Sequence, residues 1–136
     1  MMDELLLAPG LIEEMIAHAA AHYPEEACGL LGGSGCHATR LHPVENMLHS
    51  PVAYEMEPLQ QVRAMLDIEA AGLELVAIYH SHPGGPARPS VTDVAQAYYP
   101  DSAQIIVSLA DRKRPDVRAF TIRDGQVRTI RLATAS

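Results

Sequence analysis

The chain has 136 residues, which is enough for one domain with a single hydrophobic core and too few for two domains. Its hydrophobic fraction of 48% and charged fraction of 20% exclude an intrinsically disordered chain. The net charge of −7 argues against nucleic acid as a partner, because binding to phosphates needs clustered Lys and Arg. One basic run, Arg112-Lys113-Arg114, stands beside Pro115 and is expected to lie in a solvated turn.

The N-terminal residues do not resemble a secretory signal peptide. Asp3 and Glu4 stand where such a signal needs positive charges, and the apolar run that follows ends at Pro9. No stretch approaches the roughly 18 consecutive apolar residues of a membrane span. We therefore expect a cytoplasmic protein with no membrane partner. Because the cytosol is reducing, we also expect no disulfide between Cys28 and Cys36.

The first half of the chain predicts two helices separated by a hairpin. Apolar residues recur at helical spacing over 11–22, which predicts an amphipathic helix. Residues 27–32 and 36–44 predict the two strands of a hairpin. A second helix is expected to start at Pro58 and to be ended by Gly72, since proline suits the first turn of a helix and glycine its C-terminus.

The second half of the chain predicts four more strands and one helix. The apolar run over 73–79 predicts a strand buried on both faces. The remaining expected elements are a loop over 83–89, a helix over 91–98, a strand over 102–109 and a hairpin of strands 117–122 and 126–132 around Asp124-Gly125. Helices interleaved with strands predict one α/β domain over 1–136, with helices flanking a mixed β-sheet.

Two histidines of the first predicted helix lie at a spacing that can bind metal. His18 and His22 are four residues apart, so their side chains emerge from the same face of the helix. They lack the glutamate of an H-E-x-x-H motif. We therefore interpret them as a solvent-facing pair.

A denser group of metal-ligating residue types follows the predicted strand over 73–79. His80 and His82 would project to the same side if that strand continues, and Ser90 and Asp93 follow at the start of the next helix. Imidazole and carboxylate are ligands that zinc prefers, and three protein ligands with a position left for water are typical of a catalytic centre. The pattern predicts a metal-dependent hydrolase.

Two alternatives attach to this pattern. Ser90 and Asp93 are spaced as in a capping box, in which Ser90 caps the helix and Asp93 is its third residue. We expect Ser90 to begin the helix and still aim its hydroxyl into the site, and Asp93 to do little capping if its carboxylate binds metal. For His80 and His82, the alternative is a pair of strand-end residues satisfied by hydrogen bonds.

The segment from His80 to Asp93 resembles the signature of the JAMM (MPN-plus) metalloprotease domain, which is His-x-His, seven residues, Ser, two residues and Asp. That family also has an upstream glutamate, directly followed by a small residue, one further residue, Gly and an apolar strand. Glu26, rather than Glu25, stands at that position here. Residues 46–58 are also similar to the small bacterial and archaeal branch.

The resemblance implies a cytidine-deaminase-like, three-layer fold and one bound Zn²⁺, with His80, His82 and Asp93 as metal ligands. It implies that Glu26 takes a proton from the activated water and delivers it to the leaving amine, and that Ser90 donates a hydrogen bond to the oxyanion. Cys28 could share a strand face with Glu26, so a supporting role beside the metal is an alternative to a buried structural thiol, which we favour.

The resemblance also implies the substrate, which is a ubiquitin-like or sulfur-carrier protein cut after its C-terminal Gly-Gly. Two glycines suit a narrow groove across a metal. The oligomeric state is left open, with a homodimer as one option. A second interpretation keeps the metal but assigns small peptides or cell-wall stem peptides as substrates; the missing export signal and cell-wall-binding module count against it. A third is a metal-free scaffold of the MPN-minus type, whose members usually lack one or more of the ligands that this chain has.

Overall fold

The computed structural model describes residues 2–136. Within that range no helix is both long and apolar enough to cross a membrane. The elements in chain order are β1 Glu4–Leu7, α1 Leu11–His22, β2 Cys28–Ser34, β3 His37–Val44, α2 Pro58–Ala70, β4 Glu74–His82, α3 Val91–Ala95, β5 Ala103–Ser108, β6 Asp116–Arg123 and β7 Gln126–Thr134.

The strands form one mixed sheet that closes on itself in the order β1-β3-β2-β4-β5-β6-β7. β4 and β5 are parallel, and β1 closes the ring by pairing in parallel with both β3 and β7. The other neighbouring pairs are antiparallel. The predicted mixed α/β architecture is confirmed. The sheet is closed rather than an open central layer between helices, so the three-layer, cytidine-deaminase-like arrangement stays a prediction. We did not predict β1, whose four residues are too few for an alternating pattern to be recognised.

One face of α1 packs against the apolar inner face of the closed sheet. A cluster of buried apolar side chains draws at least one member from each strand described above, as the inner face of a ring of strands must. Leu11, Met15 and Ala19 of α1 are all buried in this cluster, at the four-residue spacing that keeps side chains on one face of a helix. The helix has the bounds predicted from that spacing.

The outer face of β2 and β4 is covered by α2. Ala64 and Ile68 of this helix pack on Leu30 and Ile78. Gly32 lies directly under the helix, since a Cβ at that position would come within 3.0 Å of Ile68 Cγ1. The helix begins where predicted, with Pro58 in its first turn and the Glu57 carboxylate accepting hydrogen bonds from two backbone amides, and it ends before Gly72.

The interpretation of His18 and His22 as a solvent-facing pair is wrong for one of them. His22 is exposed, but His18 is half-buried and its Nδ1 lies 2.7 Å from the hydroxyl of Tyr79, a fully buried side chain of β4. His18 lies one helical turn from Met15, so it emerges at the margin of the buried face. Burial is the main reason that the pKa of His18 is lowered to about 4, and the neighbouring His22 lowers it further.

The remaining predicted elements agree with the structure apart from their lengths. The final hairpin turns at Asp124 and Gly125, which both have positive φ as a tight two-residue turn requires. The third helix, α3, ends at Ala95, three residues earlier than predicted. The basic run 112–114 is exposed in the connection from β5 to β6, as expected, and the Arg112 guanidinium lies 4.1 Å from the centre of the Tyr23 ring.

Candidate metal centre and active site

The end of β4 carries the two histidines of the motif. The strand extends three residues beyond its predicted end, to His82, because it stays paired with β5 along its whole C-terminal half. Side chains alternate along a strand, and Tyr79 belongs to the interior cluster. His80 and His82 therefore both project from the outer face, as predicted.

Three side chains converge there. His80 Nε2 and His82 Nε2 are 3.1 Å apart, and Asp93 Oδ2 is 3.2 Å from the first and 3.0 Å from the second. This group of ligand atoms, all within 4.8 Å of one another, could hold a metal ion. Two imidazole nitrogens and one carboxylate oxygen are the donor set of a three-ligand metal site, so the residues present fit a divalent cation.

The second ring nitrogens of the two histidines differ in their surroundings. His82 Nδ1 lies 2.8 Å from the carbonyl of Pro86, and a proton donated from Nδ1 leaves the Nε2 lone pair free for a metal. The loop that supplies this carbonyl is itself fixed, since the Ser108 hydroxyl donates to the carbonyl of Gly85 at 2.6 Å. His80 Nδ1, by contrast, is buried with no hydrogen-bond partner, and the Tyr54 ring stacks on the imidazole at 4.7 Å between centroids.

Ser90 and Asp93 begin α3 as a full capping box. The Ser90 hydroxyl accepts a hydrogen bond from the Asp93 amide at 3.1 Å, and Asp93 Oδ2 accepts one from the Ser90 amide at 2.9 Å. Little capping by Asp93 was expected only with a metal bound; in this structure the same oxygen that faces the two imidazoles also closes the box. Capping thus fixes the carboxylate of Asp93, while the proton of the Ser90 hydroxyl stays available to another acceptor.

Glu26 approaches the same face from the residues just before β2. Cys28 pairs with His80 in the antiparallel register of β2 and β4, and Ser81 exchanges hydrogen bonds with Ala27 through both its amide and its hydroxyl. Continuing that register brings Glu26 opposite His82. Glu26 is only 5% exposed, and its Oε1 is buried with no hydrogen-bond partner. Glu25, which was not assigned to the family glutamate position, instead has its carboxylate 3.1 Å from His49 Nδ1 at the surface.

Burial and the neighbouring charges set the protonation of these groups. Burial raises the pKa of Glu26 to about 7; the charge of His82 opposes this shift and that of Asp93 adds to it. Burial would also raise the pKa of Asp93, but hydrogen bonds from His80 and His82 lower it well below its usual range. Glu26 therefore has a pKa close to neutral pH, whereas Asp93 beside it is ionised. Such a difference between two neighbouring carboxyl groups is expected where one carries protons and the other binds a metal.

His80 and His82 are shifted in opposite directions. Burial lowers the pKa of His80, and its hydrogen bond to Asp93 only partly offsets this. Burial also acts to lower the pKa of His82, but hydrogen bonds to Asp93 and to the carbonyl of Pro86 outweigh it, so that this pKa is raised. A metal ligand must be a neutral imidazole, so the lowered pKa of His80 favours the required form whereas the raised pKa of His82 opposes it.

Cys28 is buried under this site. It is fully buried, its thiol donates to the carbonyl of Val44 at 3.3 Å, and burial raises its pKa to about 12. Cys28 and Cys36 are both free, as predicted. A thiol with this pKa is neither a nucleophile nor a ready metal ligand at neutral pH, which favours the structural interpretation of Cys28.

A cleft of about 430 Å³ opens beside His80 and Asp93. One wall comes from the segment between β3 and α2 and from the start of α2, and the opposite wall comes from α3 and the residues after it. Gln104 and Ile78 also line it. Sequence reasoning missed Tyr54 and Gln104, whose positions beside the site depend on tertiary packing. The only sequence signal for Tyr54 was the resemblance of residues 46–58 to a family segment, and there was none for Gln104.

Comparison with known proteins gives one family match and close relatives. The family model described as prokaryotic homologues of the JAB domain matches residues 8–123. The chain is 38% identical over 125 residues to the CysO-cysteine peptidase of Mycobacterium tuberculosis, covering 90% of this chain and 86% of that protein. It is 38% identical over 123 residues to the probable TtuB-protein conjugate cleaving protease of Thermus thermophilus, covering 90% and 78%. A solution structure of a protein from Desulfitobacterium hafniense superposes with a TM-score of 0.87 at 35% identity, covering 97% of this chain and 93% of that one.

Proposed function

Because the chain belongs to the family of prokaryotic homologues of the JAB domain, we propose that it is a metal-dependent peptidase that cleaves ubiquitin-like protein conjugates. Its substrate is a ubiquitin-like or sulfur-carrier protein, and the bond hydrolysed is the amide after the C-terminal Gly-Gly. The observation that carries this proposal is the convergence of His80, His82 and Asp93 on one point, with Glu26 buried opposite His82 and lacking a hydrogen-bond partner for Oε1.

His80 Nε2, His82 Nε2 and Asp93 Oδ2 would hold the metal, for which we propose a single Zn²⁺ because two imidazoles and one carboxylate are ligands that this ion prefers. Such an ion, when bound, supplies Lewis-acid chemistry: it lowers the pKa of water towards about 7 and polarises a carbonyl. The protein fixes the ligands beforehand, through the Pro86 carbonyl on His82 and the capping box on Asp93.

Glu26 is the proton carrier of the proposed reaction. A carboxyl group whose pKa is raised to about 7 can accept a proton from the attacking water and donate it later at neutral pH. The leaving amine must depart protonated, so one group that acts first as base and then as acid suffices. Burial also keeps bulk water away from Oε1, which strengthens its interaction with the reacting atoms.

Ser90 stabilises the charge that develops on the former carbonyl oxygen. Its hydroxyl oxygen already accepts from the Asp93 amide, so the hydroxyl proton is free to point away from the helix towards an oxyanion. Donors of this kind typically contribute about 2.7–4 kcal/mol to the barrier. The capping box therefore orients both the ligand Asp93 and the donor Ser90.

The substrate class rests on the relatives. One is named for a peptidase acting on CysO-cysteine and the other for a protease cleaving TtuB-protein conjugates, and the match covers 90% of this chain in each case. The cleft beside His80 is open to solvent at its mouth, as a site for a protein tail requires. Four expectations stay predictions: a cytoplasmic location, one domain over 1–136, a cytidine-deaminase-like core and a homodimer.

The test is incubation of the purified protein with a carrier protein ending in Gly-Gly-X, followed by mass spectrometry of the products. We expect release of X from the wild-type protein, loss of release on chelation of the metal, and recovery when zinc is added back. Glu26→Gln should bind metal like the wild type and lower turnover about 10²–10⁴-fold. Wild-type rates for Glu26→Gln, or cleavage of unrelated peptides at the same rate as the carrier, would contradict the proposal.

A further inference from the structure

Asn46 lies in the segment between β3 and α2 but does not itself line the cleft, and its side chain ties that segment to the site. Its amide nitrogen donates to the carbonyl of Glu26 at 3.0 Å and to that of Ala53 at 3.1 Å. Its amide oxygen accepts from the backbone amides of Leu48 and Glu55, both at 3.1 Å. An asparagine amide has two N–H donors and two acceptor lone pairs, so every one of these is used.

These four bonds connect two parts of the chain that flank the metal group. The Glu26 carbonyl belongs to the proposed proton carrier. Ala53 and Glu55 are the residues on either side of Tyr54, the ring that stacks on His80. Asn46 itself is only 7% exposed, so water does not readily replace the bonds it makes.

The bonds of Asn46 matter because an atom of each side chain that they position lacks a hydrogen bond of its own. Glu26 Oε1 and His80 Nδ1 are both buried without a hydrogen-bond partner, so hydrogen bonds at those atoms do not hold either side chain in place. The position of Glu26 therefore depends on its backbone, which is held by the Asn46 amide at the carbonyl and by the Ser50 carbonyl at the N–H, at 2.8 Å. Ser50 lies between Leu48 and Ala53, in the stretch of chain whose backbone is bonded by the Asn46 side chain.

We propose that Asn46 is a positioning residue for the hydrolysis: its amide fixes the backbone of Glu26 and the Tyr54 segment relative to each other. This inference rests on the proposed function, since it assigns a purpose to the placement of Glu26. Asn46 does not touch the reacting atoms, and it acts through Glu26. A displacement of about 1 Å in a reacting group can cost about 10²-fold in rate.

The test uses Asn46→Asp, which has the same shape and keeps the acceptor side but replaces the N–H donors by an oxygen that repels the Glu26 and Ala53 carbonyls. Asn46→Ala, which brings no charge, decides the matter if the first variant does not fold. We expect kcat on a Gly-Gly-X carrier to fall about 10–100-fold, with KM changed less than about 3-fold and one metal ion still bound. Gln60→Ala is the matched control, because it removes a side-chain bond to the backbone of Glu45 outside the site.

A double-mutant comparison separates positioning from general loss of stability. A general base contributes about 10²–10⁴-fold, so the residual rate of Glu26→Gln stays measurable in long incubations. If Asn46 acts through Glu26, adding Asn46→Asp to Glu26→Gln should change that residual rate by less than about 2-fold. An equal loss in both backgrounds, or a kcat within about 3-fold of wild type in the single variant, overturns the proposal.

Hydrogen exchange at the Glu26 amide gives a readout that does not depend on activity. We expect exchange there to accelerate at least about 10-fold in the Asn46 variants and not in Gln60→Ala. Unchanged protection at Glu26 overturns the inference even if the wild-type protein cleaves carriers. Failure of the wild-type protein to cleave any carrier contradicts the proposed function instead, and the exchange data still decide whether Asn46 holds Glu26.

Discussion

The two faces of β4 serve different purposes. On the inner face, Ala77 and Tyr79 are fully buried and join α1 in the interior cluster. On the outer face, His80 and His82 are almost as buried but converge on the carboxylate of Asp93. The inner side chains therefore contribute stability, whereas the outer face combines apolar packing at Ile78 with a polar group at its C-terminal end. The packed inner face holds the outer imidazoles in a fixed geometry.

The polar end of the outer face carries free-energy costs that the inner face lacks. Each fully buried apolar side chain of the inner face stabilises the fold by about 1.5–3 kcal/mol. On the outer face, Glu26 Oε1 and His80 Nδ1 are buried without hydrogen bonds, and a group of this kind costs about 1–3 kcal/mol. The comparison indicates that the outer face gives up stability to keep a proton carrier and a ligand poised, which the inner face offsets.

The largest effect is expected from His82→Ala on the outer face. Removing one of three ligands should reduce bound metal from one ion per chain to below about a tenth, and turnover at least about 10³-fold, because the activated nucleophile is lost. Metal analysis and carrier cleavage measure both quantities. Full metal content in this variant would show that the ion lies elsewhere.

A smaller catalytic effect is expected from Ser90. Ser90→Ala and Ser90→Gly should each lower kcat about 10²-fold or more, since the oxyanion donor is absent in both. Glycine costs a helix N-cap only a few tenths of a kcal/mol whereas alanine costs about 1 kcal/mol, so only Ser90→Ala should also lower stability. If Ser90→Gly retains wild-type kcat, the hydroxyl serves the helix alone.

The matching change on the inner face is Met15→Ala. Met15 is fully buried in the interior cluster, and its truncation should lower the free energy of unfolding by about 2–5 kcal/mol. Urea unfolding measures the loss. Metal content and kcat per folded molecule should stay unchanged, and a selective loss of kcat would mean that the two faces are not separable.

The smallest effect concerns pH and His18, where α1 meets the inner face. The pKa of His18 is about 4 in the folded protein against 6.5 for an unperturbed histidine, so the unfolded chain binds more protons between these values. Stability should therefore fall as pH is lowered from about 6.5 to about 4, by no more than about 1 kcal/mol because the ring is half exposed. Urea unfolding at several pH values should show this slope in the wild type and a weaker one in His18→Gln. Equal pH dependence of the free energy of unfolding in both proteins would show that His18 does not cause the loss of stability.

Much of the fold follows from local patterns in the sequence. Leu11, Met15 and Ala19 predict α1, Pro58 and Gly72 bound α2, and Asp124-Gly125 predicts the last turn, because each depends on neighbouring residues only. β1 was missed because its residues are held by pairing with β3 and β7, at distant positions in the sequence. His18 was misjudged because its partner, Tyr79, is 61 residues away.

The candidate site likewise contains residues that local spacing predicts and residues that only tertiary contacts bring together. His80, His82, Ser90 and Asp93 lie within one short segment, so their spacing alone predicts a metal site. Glu26 could be assigned only from resemblance, since its place opposite His82 comes from the register of β2 and β4. The hydrogen bonds of Asn46, which join Glu26 to the Tyr54 segment, depend on tertiary contacts that no local pattern encodes.

The most direct test of the central claim is anomalous X-ray diffraction at the zinc absorption edge, from crystals of the wild-type protein grown with Zn²⁺. The account predicts one strong anomalous peak per chain, within about 2.0–2.2 Å of His80 Nε2, His82 Nε2 and an oxygen of Asp93. A map with no peak between these three atoms, or with its peak at another group of residues, would contradict it.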